Sequence, residues 1–382
     1  MLGKIQVTNI NAYVNSIAGV ENKLIFVGQV SDAALIGKVT GLNANSDLET
    51  IFAKDAQSLS LKFLIATQLN AGQNWEAVFV GIDADMAWQD AVDIANKIVN
   101  YEGVVVCDPI SEAKDLTEAG DKMKELEAKY ARYMFVMMCA PAIDNTQGTE
   151  EEPAGQSWTD YVSALSAMTT DVVSERVMCV PTLFENDLGI LAGRLCNRNV
   201  TIADSPMRTK TGVLLGMGSP SLDNTGAEMP DTIFSQLDGK KFSVPQTYPG
   251  DEGWYWADGN TFDKDNGDYK VIEILRPALK ACREVYKVAL PTIADRALNS
   301  SPNSVEMNKE LYLKPLREIS VGKDINGVPF PGLIYPPEAT AIDIVWVNNT
   351  TTQIMVTVRP YNSQKDITIG VGVDLSLYNS AA

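Results

Sequence analysis

The chain has 382 residues, with 31 basic and 49 acidic side chains, a formal charge of −18, and no histidine. This acidic balance argues against nucleic acid as a partner, because phosphate backbones are bound by clustered lysine and arginine. The longest apolar run has eight residues (133–140), whereas a bilayer-spanning helix needs roughly 20. We therefore expect no membrane insertion, and no signal peptide, since the first residues lack an apolar core.

The missing histidines exclude Ser-His-Asp and Cys-His catalytic arrangements and any zinc site that contains histidine. Asp, Glu, Lys, Tyr and Cys also serve as catalytic residues, so the lack of histidine reduces the number of possible mechanisms without excluding an enzyme. None of the cysteines belongs to a CxxC pair, and each lies in an apolar stretch, so we expect small buried residues in a reducing compartment. They are Cys107, Cys139, Cys179, Cys196 and Cys282.

The first half of the chain alternates between strand-like and helix-like patterns. Apolar residues recur at helical spacing behind Asp85, Ser111 and Ser157, and a further helix is predicted near Asp187–Asn197. Ser157 and Asp160 have the spacing of a capping box. Strands between these helices indicate an α/β layer with a largely parallel sheet. The short apolar runs that predict strands are Leu24–Gly28, Leu61–Ala66, Ala77–Ile82, Val104–Cys107, Tyr133–Cys139 and Arg176–Val180.

Open α/β sheets usually bind their ligands at the turns that follow the strands, so a ligand site is expected in these turns if one is present. None contains GxGxxG or GxxxxGK[ST]. Gly216-Met-Gly218 lacks the third glycine and the lysine of a phosphate loop, so an ordinary turn is favoured. The segment Asp263–Asp268 is similar to a calcium loop with its glycine misplaced, and a solvated surface is favoured there.

Both chain ends carry alternating apolar residues that predict strands. The eleven residues from Ile367 to Leu377 would span roughly 36 Å if fully extended. A hairpin is predicted just before them, from Ile342–Val347 and Ile354–Val358, and a loose connector, Asn15–Lys23, follows the first strand. The end strands pair either within their own subunit or with a neighbouring subunit by β-augmentation. Their apolar residues are Ile5 and Val7, and Ile367, Ile369, Val371, Val373, Leu375 and Leu377.

Two helices are predicted between these regions, Tyr269–Ala289, with Pro277 expected to kink or restart it, and Asn303–Leu316. The first carries a basic stripe on its polar face, for which a solvated surface is one interpretation. The stripe consists of Arg276, Lys280, Arg283 and Lys287.

A series of segments from residue 253 onward, beginning with Gly253-Trp-Tyr-Trp-Ala-Asp-Gly259 and ending with Val358-Arg-Pro, forms a recognisable pattern. With these segments, the sequence resembles the contractile tail sheath proteins of myophage-type tails, most of all those of Mu-like phages. One departure is Pro277, which follows Arg276 where the resemblance leads us to expect Val-Val-Asp-Lys. The chain is also compact for a sheath subunit, so a large protruding domain is not expected. The segments that carry the resemblance are Gly253-Trp-Tyr-Trp-Ala-Asp-Gly259, Gly267–Arg276, Ile293–Pro302, Leu313–Ile319, Phe330-Pro-Gly, Ile344-Val-Trp-Val and Val358-Arg-Pro.

The resemblance implies a structural protein, not an enzyme, without a cofactor. Beside the α/β domain that the strand and helix patterns predict, and which itself resembles no family, the resemblance implies a C-terminal sheath domain with helices packed on a β-sheet and extended N- and C-terminal strand arms. The predicted boundaries are 1–22 for the N-terminal arm, 23–205 for the α/β domain, 206–362 for the sheath domain and 363–382 for the C-terminal arm.

The resemblance also implies subunits that polymerise in stacked sixfold rings and lend strands to their neighbours. Contraction would drive an inner tube through the host envelope for genome ejection. The implied partners are other copies of the chain, the tail tube protein, which the basic stripe would face, and the baseplate and tail terminator proteins. The protein would be made in the bacterial cytoplasm and reside in the virion. A sheath of a headless, R-type bacteriocin-like device is one alternative, and an α/β enzyme or ligand-binding protein with an unrecognised site is another.

Overall fold

The centre of the molecule is a six-stranded sheet in the order β2-β3-β1-β4-β5-β6. The structure is a computed structural model of the chain, and it describes residues 19–148 and 154–373. All neighbouring strands are parallel except β2, which runs antiparallel to β3 at one edge. The strands are β1 (Lys23–Gln29), β2 (Val39–Asn43), β3 (Glu76–Ile82), β4 (Gly103–Pro109), β5 (Phe135–Ala142) and β6 (Val177–Thr182).

Helices cover both faces of this sheet, which is why its strands are apolar on both sides. Helices α3, α4, α5 and α7 pack on one face, and α1, α2, α6 and the start of α8 pack on the other. Their bounds are α1 (Leu48–Ile51), α2 (Leu59–Ala71), α3 (Trp88–Asn96), α4 (Ala113–Tyr130), α5 (Trp158–Thr169), α6 (Asp187–Cys196), α7 (Thr232–Asp238) and α8 (Ile272–Ala289).

The predicted α/β layer with a largely parallel sheet is confirmed. The capping box is present too, because the Ser157 hydroxyl accepts the Asp160 N–H at 3.2 Å and the Asp160 carboxylate accepts the Ser157 backbone N–H at 3.4 Å. The strand predicted at Leu61–Ala66 is wrong, since these residues lie in α2. This helix is buried on most sides, so its apolar run has no amphipathic period and looks like a buried strand.

The C-terminal part builds a second, smaller core on α8 and α9 (Pro302–Ile319). Its sheet is the hairpin of β11 (Ile342–Asn348) and β12 (Thr351–Val356), which agrees with the predicted hairpin. Tyr312 and Leu316 of α9 and Ile344 of β11 are buried in this core. The helix α8 continues through Pro277 and does not restart there. Helices packed on a β-sheet in this region agree with the predicted fold class.

The segment between these two cores is largely irregular. It contributes Phe242, Trp256 and Phe262 to the cores on the six-stranded sheet, although these residues follow the predicted boundary at 205. No helix in residues 19–148 and 154–373 is long and apolar enough to cross a membrane. The remaining strands form two small antiparallel pairs, β7 (Pro245–Gln246) with β8 (Tyr255–Trp256), and β9 (Lys323–Ile325) with β10 (Val328–Phe330).

Candidate subunit interface

Where the structure describes the predicted C-terminal strand, from Ile367 to Val373, it shows no strand pairing within the subunit. Residues 363–373 run outside any strand, and the apolar row along them is exposed to solvent. Ile367 is 61% exposed, Ile369 78%, Val371 89% and Val373 81%. Leu375 and Leu377, like Ile5 and Val7 of the N-terminal strand, lie outside the described residues. The exposed row leaves four large apolar side chains uncovered, a pattern typical of a segment that a partner covers.

The hairpin of β11 and β12 is a strand pair with free edges. It is a two-stranded sheet, so the outer edge of each strand has no strand partner in residues 19–148 and 154–373. Ile342 and Ile344 face the small core, whereas Val345 and Val347 are 42% and 61% exposed on the opposite face. Unpaired N–H and C=O groups beside exposed β-branched side chains are a template for another strand.

Lys365, which we call the C-terminal root, attaches the described part of the C-terminal segment to the subunit. Its ammonium lies 2.6 Å from Glu273 Oε1 of α8 and also pairs with Asp258. Burial disfavours the ammonium, but the two carboxylates outweigh this effect and raise the pKa of Lys365 above its usual value. The Glu273 side chain is 3% exposed, and removing the cation from a buried pair of this kind is strongly unfavourable.

Glu21 and Asn22, which we call the N-terminal root, are fastened to the same helix. Glu21 Oε1 lies 3.3 Å from Lys280 Nζ and 3.1 Å from Arg283 Nη2. Burial of the Glu21 carboxylate would raise its pKa, but Lys280 and Arg283 outweigh burial and lower the pKa to about 2.

Arg276 completes this attachment from near the start of α8. It forms a two-pronged pair with Glu102, with Nε–Oε1 and Nη2–Oε2 distances of 2.9 and 2.7 Å, and also donates to Asn22 Oδ1 at 2.9 Å. The Asn22 N–H donates to Glu102 Oε2 at 2.7 Å. Arg276 and Glu102 are 3% and 0% exposed. The root is therefore tied by both its backbone and its side chains.

The basic stripe of α8 does not form one exposed surface, and this corrects the sequence-based interpretation. Arg276 and Arg283 are buried and paired inside the subunit, and Lys280 is only 16% exposed. Lys287 is 32% exposed and pairs with Glu284. Arg276, Lys280 and Arg283 all contact the N-terminal root, and Glu102 and the carbonyls of Leu195 and Tyr133 satisfy the remaining charge of the two arginines.

The two segments that weakly resemble ligand-binding motifs, Gly216–Gly218 and Asp263–Asp268, form hydrogen bonds within the chain. Asn186 holds the Gly216–Gly218 turn, donating to the Gly216 carbonyl at 2.7 Å and accepting the Gly218 N–H at 3.0 Å. The Asp263 carboxylate accepts backbone N–H groups from Lys264 and Tyr269. Within the part of the chain that the structure describes, no group of three or more Cys, Asp or Glu side chains is placed to hold a metal ion.

The cavity nearest the hairpin measures about 440 Å³. It lies between the segments 334–341 and 357–359, with Tyr335 and Arg359 in its lining. The cavity therefore lies at the open end of the hairpin, since Ala341 precedes β11 and Thr357 follows β12.

Comparison with known proteins identifies the family. Residues 2–260 match the N-terminal domain of DUF2586, and residues 268–376 match its C-terminal domain. The chain belongs to the DUF2586 family. A relative from Haemophilus phage HP1 (strain HP1c1), named as a tail sheath protein, is 36% identical over 379 residues, covering 98% of this chain and 99% of the relative. The resemblance of this DUF2586 member to phage tail sheath proteins is thus confirmed.

Solved sheath structures share the fold of this DUF2586 member. The sheath of the extracellular contractile injection system PVC in its contracted state has a TM-score of 0.61 at 10% identity, with 99% of both chains covered. The contracted helical sheath of the anti-feeding prophage has a TM-score of 0.58 at 14% identity, with 98% and 99% covered. A sheath tail protein from Listeria innocua has a TM-score of 0.55 at 10% identity, with 92% and 94% covered.

The sequence did not identify the residues that pair with the basic stripe of α8 in this DUF2586 member, nor Glu273 on the same helix with Lys365 and Asp258. The only local signal is Glu273, three residues before Arg276 on the same helix face. The partners are otherwise distant in sequence, Glu102 by 174 residues from Arg276 and Glu21 by 262 residues from Arg283. The missed residues are Glu21, Asn22, Glu102, Asp258, Glu273 and Lys365.

Proposed function

We propose that this chain is the subunit of a contractile phage tail sheath that polymerises around the inner tail tube in stacked sixfold rings. Neighbouring subunits exchange strands through the segments 1–22 and 363–382. Contraction of the polymer drives the tube through the host cell envelope for genome ejection. The subunit acts as a structural element and performs no catalytic step.

The observation that carries the proposal is that one subunit has both an exposed apolar segment that a neighbour can take up and a hairpin whose edges can take up a neighbour's strand. The segment Ile367–Val373 exposes its whole apolar row, and the hairpin β11–β12 leaves both of its edges open. A neighbour's C-terminal segment added to one edge, and its N-terminal segment to the other, turns the hairpin into a four-stranded sheet. Such added strands are held by backbone hydrogen bonds along their length.

This linkage suits a polymer that changes shape. Strand pairs at the chain ends keep their hydrogen bonds while rigid bodies rotate and the interfaces between them repack. The energy for contraction is stored in the extended polymer at assembly, which agrees with the lack of nucleotide-binding motifs in the sequence.

Similar proteins support the polymer and its partners. The anti-feeding prophage relatives were solved as a helical sheath and as a sixfold-symmetrised baseplate, so we infer a baseplate partner as well as self-association. The 36% identical relative comes from a phage, which favours a phage tail over a headless injection device. Tube and terminator contacts remain part of the proposal, and within the predicted stripe only Lys287 is left as a candidate for the tube.

Electron microscopy of the concentrated, purified chain tests this function. We expect ribbed tubes or stacked rings from the full chain. A matched variant that ends after Lys365 keeps the C-terminal root but loses the exposed segment, and it should remain a folded monomer that forms no tubes. A full chain that stays monomeric at all concentrations, or a truncated chain that assembles equally well, would contradict the proposal.

A further inference from the structure

One face of α8 carries four charged side chains spaced by three, four and three residues. These residues are Glu273, Arg276, Lys280 and Arg283, and this spacing places them along one helix face. Each of them contacts a root of a terminal segment, Glu273 the C-terminal root and the other three the N-terminal root.

The N-terminal root is held by a network and not by a single pair. Asn22 has a φ of 61°, a left-handed conformation that asparagine adopts more readily than most residues. Its backbone N–H and its side chain are bound to Glu102 and Arg276, and Glu21 beside it is bound to two cations. The direction in which the chain leaves this root is therefore fixed from several sides.

The C-terminal root, Lys365, is held in place because the buried carboxylate of Glu273 needs a cation beside it. Glu273 is 3% exposed, and the cation paired with it in the described chain is Lys365. If the segment left the subunit surface, Glu273 would remain as an uncompensated buried carboxylate, which is strongly unfavourable. The alternating apolar row begins two residues later, at Ile367, so the tie stands at the boundary between the folded body and the free segment.

We propose that α8 is a mechanical tie between the two terminal segments, so that a pull on one reaches the other along this helix. Glu273 and Arg283 are ten residues apart, so the path is roughly 15 Å long at about 1.5 Å per residue. The inference rests on the proposed strand exchange for its role in the polymer, but the two ties themselves exist in the single subunit.

Limited proteolysis of the monomer tests each tie from the helix side, with the cleavage site left unchanged. The variant Glu273→Gln weakens the hold on Lys365, and trypsin should then cut after Lys365 about tenfold faster. The variant Lys280→Gln weakens the hold on Glu21, and a glutamate-specific protease should cut after Glu21 severalfold faster. The control Arg317→Gln removes an exposed cation of α9 that contacts neither root, and it should leave both rates unchanged.

The outcomes separate this inference from the proposed function. Thermal melting of each variant identifies general unfolding, which would accelerate cleavage throughout the chain and not only at one root. Unchanged cleavage at both roots in folded variants overturns the tie, even if the wild-type chain forms tubes. Faster cleavage at the matching root supports the tie, even if the wild-type chain forms no tubes. In a chain that does assemble, we expect Glu273→Gln tubes to come apart between subunits on contraction.

Discussion

Arg276 and Glu102 form an ion pair that water hardly reaches. Their side chains are 3% and 0% exposed, and two nitrogen–oxygen contacts below 3 Å join them. Pairs of this kind add little net stability compared with apolar residues of the same shape, but removing one partner costs about 3–5 kcal/mol. Since the pair also binds Asn22, its value to this protein lies in where it holds the chain.

Asp187 is another buried acidic side chain, and it begins α6 five residues after β6 ends at Thr182. Its carboxylate accepts the N–H groups of Leu183 and Phe184 at 2.9 and 2.7 Å. Burial raises the pKa of Asp187 to about 7, although these hydrogen bonds act in the opposite direction. In the unfolded chain the same carboxyl has a pKa near 3.8.

The first prediction follows from the difference between the pKa of Asp187 in the folded and in the unfolded chain. Between pH 4 and 7 the folded state binds more protons than the unfolded state, so Asp187 makes stability fall as the pH rises, by at most about 1.4 kcal/mol per pH unit. Asp187→Asn keeps an oxygen for the two N–H donors and does not titrate. Urea unfolding from pH 4 to 8 should show a flatter pH dependence for this variant than for the wild type. The exposed control Asp231→Asn should keep the wild-type slope, and identical slopes for Asp187→Asn and wild type would contradict the prediction.

The elements of the α/β domain were largely predictable because their signals are local. Apolar spacing and a cap such as Ser157 with Asp160 act within one helix, and the sequence shows them directly. The error at Leu61–Ala66 arose where that signal disappears, in a helix buried on most sides. The hairpin was predictable because alternating runs flank a short polar turn.

The ties on α8 could be predicted only in part. The spacing of Arg276, Lys280 and Arg283 indicates that they share a helix face, but nothing local identifies what that face meets. Their partners come from distant parts of the chain, and an exposed charged stripe and a buried one have the same sequence pattern. The exposed row at Ile367–Val373 was the opposite case, because strict alternation indicates one apolar face whatever covers it.

The C-terminal segment gives a prediction for the substitution Val371→Asp. Val371 is 89% exposed in the subunit, so the monomer should unfold within about 0.5 kcal/mol of the wild type. If a neighbour covers this residue in the polymer, a charge there costs several kcal/mol at each contact. Electron microscopy should therefore find a folded monomer without tubes.

A matched control for Val371→Asp lies on the polar face of the same segment. Thr368→Asp adds the same charge to the opposite face, and it should impair assembly much less. An aggregated or molten Val371→Asp monomer would place the residue in the subunit's own core. Tubes that form as in the wild type would show that this face is covered nowhere.

At the scale of the whole molecule, the proposed strand exchange makes the connector Asn15–Lys23 the link between the predicted N-terminal strand and the folded body. The N-terminal root fixes the chain at Glu21. The distance that the predicted first strand can move from the body is then set by the connector residues that precede Glu21. If that strand stays paired with a neighbour while the bodies separate, the length of the connector sets how far they can move. A connector that is too long lets one ring move without pulling the next.

Lengthening the connector tests this coupling. Six flexible residues inserted between Ile17 and Ala18 add up to about 20 Å of reach, at roughly 3.5 Å per residue, and they leave both roots and both end strands intact. We expect tubes to assemble, but contraction to stop after a few rings because the pull no longer passes from ring to ring. The same six residues inserted at the exposed turn Asn326-Gly327, far from both chain ends in sequence, should leave contraction complete. Electron microscopy after a contraction trigger distinguishes partly from fully contracted tubes, and complete contraction with the long connector would show that the N-terminal segment carries no load.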